Sequence, residues 1–155
     1  MQNVLTTLCY LEADNKYLML LRNKKTNDIN HNKYIGVGGH MEQGESPDDC
    51  IRREIYEETG IMVRTVKLRG IITFVMGEIC EYTFLYTSDD FANTDAPKTC
   101  PEGELKWVDK SDILKLELWE GDKIFLRLLL EDAKMFSLKL IYDGDNLVDD
   151  DLIIY

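Results

Sequence analysis

Residues 3–11 (NVLTTLCYL) and 17–22 (YLMLLR) are short, largely apolar runs, which predict two strands joined by a turn at Ala13-Asp14-Asn15-Lys16. Residues 23–33 are polar without a usable period and are expected to form a surface loop. The glycine-rich run Gly36-Val37-Gly38-Gly39 follows and is expected to be flexible backbone. A helix is predicted over 47–59. Ser46 suits its N-cap, Pro47 its first turn, Asp48 and Asp49 its positive end, and Gly60 its C-terminal stop. Residues 62–76 and 79–87 read as β, broken near Met76-Gly77-Glu78, and 105–109 as a short strand. Residues 111–116 allow one helical turn, and 121–134 (GDKIFLRLLLEDAK) a second full helix. Residues 135–142 and 147–154 predict a closing hairpin around Asp143-Gly144-Asp145-Asn146. The expected fold is a single α/β domain over 1–155, with a mixed sheet, two main helices and a C-terminal hairpin.

Composition narrows the class. An apolar fraction of 45% can fill a core, and no run of 18 apolar residues exists to span a membrane. The start, MQNVLTTLCYLEAD, has no basic region and is not expected to be a signal peptide. A net charge of −11 argues against a nucleic-acid or anionic-membrane partner. An anionic small molecule stays possible if a divalent cation reverses the local sign. Cys9, Cys50, Cys80 and Cys100 form no CxxC pair and are expected to be reduced thiols in a cytoplasmic protein.

Against this background one cluster needs an explanation. Glu54, Glu57 and Glu58 share one face of the 47–59 helix, and two of them lie in its last turn, where the dipole disfavours anions. Arg53 can reach Glu57 at i+4 and offset one charge. A solvated acidic face is one reading. A hard cation with oxygen ligands, such as Mg²⁺, is the other. The glycine run has two readings as well: a turn, or a backbone kept bare so that a metal and phosphates can approach.

Residues 39–61, GHMEQGESPDDCIRREIYEETGI, resemble the Nudix box. Its fixed positions are met by Gly39, Glu45, Arg53, Glu54, Glu57, Glu58 and Gly60, with apolar Ile55 and Ile61 in their places. The resemblance implies a Nudix α/β/α sandwich and hydrolysis of a nucleoside diphosphate linked to a group X. It implies Mg²⁺ (with Mn²⁺ able to substitute) on Glu54, Glu57, Glu58 and a backbone oxygen of Gly39. Arg53 would orient the glutamates with Glu45 behind it, and Glu57, Glu58 and Glu102 are the candidates for the general base. The expected partner is a small-molecule nucleotide, and the expected assembly a monomer or homodimer.

Outside the box, NKYIGVGGHMEQGES, PEGELKWVD, LELWEGDKIFLRLLL and KMFSLKLIYDGDNLVDDDL resemble the MutT-like branch that acts on oxidised purine nucleotides. This implies Tyr34, Gly38, Gly39, His40, Trp119 and Asp122 as substrate contacts, and an 8-oxo-dGTP-like triphosphate as substrate. Ile35 stands where the best-studied relatives have a base-binding Asn, Gly121 where they have a first Asp, and His40 where they have a Lys. Trp119 reads equally as core and Asp122 as a helix N-cap. His40 could be a bare loop residue, Trp107 is expected in the core, and the acidic run 149–151 in solvent. ADP-ribose or a dinucleoside polyphosphate as substrate, and a non-catalytic binding domain, are the other readings.

Overall fold

A computed structural model describes residues 2–93, 95 and 99–155. Its strands are β1 (Gln2–Ala13), β2 (Lys16–Leu21), β3 (Tyr34–Ile35), β4 (Val37–His40), β5 (Thr65–Met76), β6 (Ile79–Asp90), β7 (Thr99–Cys100), β8 (Gly103–Asp109), β9 (Phe136–Asp143) and β10 (Asn146–Ile154). Two α-helices, α1 (Pro47–Thr59) and α2 (Glu120–Leu130), and a 3-10 helix over Lys110–Lys115 complete the described elements.

Local chemistry sets the short connections. Asp14 and Asn15 both adopt positive φ (52° and 61°), the geometry a two-residue hairpin needs, so β1 turns directly into β2. The strands pair in the order β10-β9-β5-β6-β1-β2-β8-β7, with β3 on β2 and β4 on β1. β1–β6 and β5–β9 run parallel and the other pairs antiparallel, which makes the sheet mixed.

Alternation along the central strands divides the core in two. Tyr10, Tyr17 and Met19 join Phe125, Leu126, Phe136, Leu138 and Leu140 under α2. Cys9, Leu11, Leu18 and Leu20 join Ile51 and Ile55 under α1. The period of two thus sends neighbours to opposite faces, and one helix covers each face. The expected α/β class, mixed sheet and closing hairpin are those observed.

Three expectations are corrected. The Gly36–Gly39 run is not a flexible turn: Val37–His40 is strand β4, held antiparallel to β1 with Gly39 opposite Thr7. The second helix stops at Leu130 rather than 134, because Asp132 turns to φ 52° and its carboxylate is held by Arg69 at 2.7 Å. Asp122 is not the N-cap of α2; Trp119 occupies that position without a side-chain cap bond. Short strands β3 and β7, with little local signal of their own, exist through pairing with β2 and β8.

Candidate functional site

Helix α1 delivers its glutamates because both of its ends are fixed. Ser46 accepts from the Asp49 N–H and Asp49 accepts from the Ser46 N–H, a reciprocal cap. Gly60 ends the helix in the left-handed conformation (φ 74°) that glycine adopts without strain. Ile51 and Ile55 anchor the inner face, which turns Glu54 and Glu58 toward β4. Glu58 is buried (8% exposed) and accepts from the Gly38 N–H at 3.2 Å. Gly39 has no room for a side chain: a Cβ there would lie 2.6 Å from the Glu54 carboxylate.

Arg53 ties the cluster together. Its Nε and Nη2 donate to the two oxygens of Glu45 at 2.7 and 2.9 Å, and its Nη1 to Glu54 at 2.8 Å and Glu57 at 3.2 Å. Nη2 also reaches the His40 carbonyl at 3.1 Å. The guanidinium, with the Glu42 N–H, holds the Glu45 carboxyl down to about 2. Glu57 remains 56% exposed at the rim.

The remaining carboxylates repel one another. Burial pushes the Glu58 carboxyl up to about 8, and the charges of Glu102 and Glu54 add to the effect. Burial likewise raises Glu54, opposed by Arg53 and reinforced by Glu57 and Glu102. Glu102 Oε2 is buried without a hydrogen-bond partner among the described residues. No three His, Cys, Asp or Glu side chains converge into a ready-made cage among the described residues, since Glu54 and Glu57 both lean on Arg53. The donor set is nonetheless all oxygen, mutually repulsive and partly orphaned, and it fits a hard divalent cation.

Most of these groups line a cavity of about 870 Å³. Gly38, Gly39, His40, Arg53, Glu54, Glu57, Glu58 and Glu102 line it, and so do Trp119 and Asp122. Trp119 is 8% exposed and stands edge-on to Tyr142 (5.4 Å, 82°), so it belongs to the core and to the cavity wall at once. Its indole N–H donates to Asn30 Oδ1 at 2.8 Å, and Lys33 Nζ sits 4.9 Å from its ring centre. Asp122 is 4% exposed, and burial pushes its carboxyl up to about 8, with Lys33 opposing and Glu81 adding. Gly121 cannot carry a second carboxylate, because a Cβ would lie 2.6 Å from both Leu140 and the Tyr142 hydroxyl.

Tyr34 is not among the lining residues. Ile35 lines the cavity instead, and strand alternation sends the Tyr34 ring to the α2-side core, where Lys106 lies 5.1 Å from its centre. Trp107 is half-buried and stacks on Phe91 at 6.3 Å, and Asp149, Asp150 and Asp151 are exposed. The cavity also gathers residues that the sequence did not single out: Asn30, Thr6, Glu81 and Thr83. The signal for the last two was a polar pair at i, i+2 in the otherwise apolar Ile79–Leu85 stretch. Of the cysteines, Cys9, Cys50 and Cys100 are buried, Cys80 is half-buried, and none is in a disulfide. No described helix is long and apolar enough to cross a membrane.

Comparison with known proteins places the chain in a family. The NUDIX domain model matches residues 2–129. An uncharacterized Nudix hydrolase of Bacillus subtilis, YvcI, is 31% identical over 130 residues, covering 81% of this chain and 78% of that protein. The oxidized purine nucleoside triphosphate hydrolase of Mus musculus is 27% identical over 118 residues, covering 75% of this chain and 74% of its own length. The crystal structure of a MutT protein from Bacillus halodurans superposes with a TM-score of 0.86 at 28% identity, over 96% of this chain and 97% of that one. Hydrolases of this family generally work with a divalent metal such as Mg²⁺ on small nucleotide substrates. With the box glutamates gathered against β4, the Nudix sheet around them and these relatives beside it, the chain belongs to the Nudix hydrolase family, in its MutT-like part.

Proposed function

We propose that this chain hydrolyses a purine nucleoside triphosphate, of the oxidised 8-oxo-dGTP type, to the monophosphate and pyrophosphate with Mg²⁺. The observation that carries the reading is one cavity lined both by the carboxylate cluster and by Trp119 with Asp122. A triphosphate suits the carboxylates once a cation is bound, and a flat base with polar edges suits Trp119 and Asp122.

Glu54, Glu57, Glu58 and the Gly39 carbonyl would hold the cation, with Mn²⁺ able to substitute. When bound, the ion neutralises phosphate charge and acidifies water. The residues of the chain do the rest. Arg53 keeps Glu45, Glu54 and Glu57 in register. Glu57, Glu58 and Glu102 can take the proton of the attacking water, and Glu102 Oε2 keeps its lone pairs free among the described residues. His40 lines the cavity and is exposed. Asp122, protonated at neutral pH, both donates and accepts along the edge of a base. A cytoplasmic location fits the free thiols.

ADP-ribose or a dinucleoside polyphosphate is the second reading. It is favoured by Ile35 in the cavity wall, which cannot hydrogen-bond a base. Glu57→Gln tests the shared chemistry. Turnover should fall by two or more orders of magnitude with an unchanged melting curve, and near-normal turnover would remove Glu57 from the reading.

A further inference from the structure

Thr6 on β1 and Glu81 and Thr83 on β6 form a connected polar group on the cavity wall. The parallel β1–β6 register sets Thr6 opposite Thr83 and Val4 opposite Glu81, and the period of two puts Glu81 on the same face. Thr6 Oγ1 donates to Glu81 Oε2 at 2.9 Å, Thr83 Oγ1 lies 3.2 Å from the same oxygen, and the two hydroxyls are 2.7 Å apart. Both threonines therefore serve one carboxylate oxygen. Glu81 Oε1 has no hydrogen bond among the described residues.

The surroundings make that free oxygen informative. Val4, Leu8, Phe74, Met76 and Ile79 line the same cavity and offer it no donor side chain. Asp122 also lines it, 4% exposed, and its side chain makes no hydrogen bond among the described residues. Glu81 is half-buried, and a fixed acceptor on the cavity wall favours a ligand that donates to it over one that would cover it unpaired. Threonines that fix one oxygen also fix the direction of the other, so the wall is preorganised for a donor edge.

We infer that Glu81 is a specificity-determining residue. Its free Oε1 accepts from the 2-amino group of a purine edge, selecting a 2-amino-6-oxo base over one that lacks that group. This rests on the proposed placement of the base beside Trp119 and Asp122. A neutral amide or a thioether at position 81 would keep the volume but lose the charge-assisted acceptor.

The test compares dGTP with dITP, which differ only in the 2-amino group, by kcat/KM with Mg²⁺. The wild type is compared with Glu81→Gln. A titration of dGMP and dIMP against the intrinsic tryptophan fluorescence gives binding without turnover. The wild type should favour the guanine nucleotide by about tenfold or more in both measurements. Glu81→Gln should reduce that ratio by about tenfold through the guanine nucleotide, leaving the hypoxanthine nucleotide within about twofold. If the Gln variant fails to fold, Glu81→Met fills the same space and should give the same loss.

A wild-type ratio near one, or an unchanged ratio in the variant, would overturn the inference. If both triphosphates are hydrolysed without discrimination, Glu81 loses its role and the proposed function stands. If neither is hydrolysed but dGMP outcompetes dIMP through Glu81, the role stands and the proposed substrate falls.

Discussion

Arg53 grips Glu45 with two parallel bonds, Nε to Oε2 at 2.7 Å and Nη2 to Oε1 at 2.9 Å, from the far side of the loop that enters α1. The pair sets where the other guanidinium nitrogen can point, and that nitrogen holds Glu54 and Glu57. Glu45→Gln keeps the shape and removes one charge. Its kcat should fall by roughly tenfold through loosened glutamates, while the melting temperature stays near that of the parent. Unchanged kcat at saturating Mg²⁺ would show that Arg53 needs no partner.

Gly39 lies so close to the Glu54 carboxylate that a methyl group would overlap it at 2.6 Å. Gly39→Ala should therefore displace the carboxylate. Loss of roughly a hundredfold in kcat/KM is expected for a shift near 1 Å, with a stability cost of about 1–3 kcal/mol from overpacking. Full activity in a folded variant would mean that Glu54 has no fixed position to lose.

Trp119 is both wall and core, so truncation to Ala would confuse the two roles. Trp119→Leu keeps more of the buried bulk and removes the stacking face and the indole N–H bonded to Asn30. KM for a purine triphosphate should rise by about tenfold or more, with a smaller change in kcat. Equal KM values for the variant and its parent would reduce Trp119 to a packing residue.

Asp122 gives stability a pH dependence whose sign is fixed by its surroundings. Burial, with a further contribution from Glu81, raises its carboxyl from 3.8 to about 8 against the pull of Lys33. Between those values the folded chain keeps a proton that the unfolded chain has released. Its contribution to stability therefore falls as pH rises through this window, by up to about 1.4 kcal/mol per pH unit, and levels off above it. Urea unfolding at pH 5, 6, 7 and 8 should show Asp122→Asn gaining on the wild type as pH rises. Parallel stability curves for the two proteins would contradict the buried, protonated carboxyl.

Legibility in the sequence followed the range of the interactions. Helix α1 could be read to the residue because Ser46, Pro47, Asp49 and Gly60 act within a turn of its ends. The end of α2 could not, because it depends on Asp132 meeting Arg69, 63 positions away. Strand β4 hid behind its two glycines of low strand propensity, and only its pairing with β1 makes it a strand. The glutamate cluster was legible because its residues share one helix face. The triad of Thr6, Glu81 and Thr83 was not, because a parallel register joins residues 75 and 77 positions apart. Asp122 read equally well as a cap, since sequence shows a carboxylate near a helix start but not that the cavity wall has buried it.

The most direct test of the proposed activity is a steady-state comparison of 8-oxo-dGTP, dGTP, 2-hydroxy-dATP, ADP-ribose and a diadenosine polyphosphate by kcat/KM with Mg²⁺, with products identified. The expected result is preference for a purine triphosphate, with 8-oxo-dGTP at least about tenfold ahead of dGTP, a difference of roughly 1.4 kcal/mol, and pyrophosphate released with the monophosphate. Preference for ADP-ribose or the dinucleotide would contradict the substrate, and turnover of none of the five would contradict the hydrolase itself.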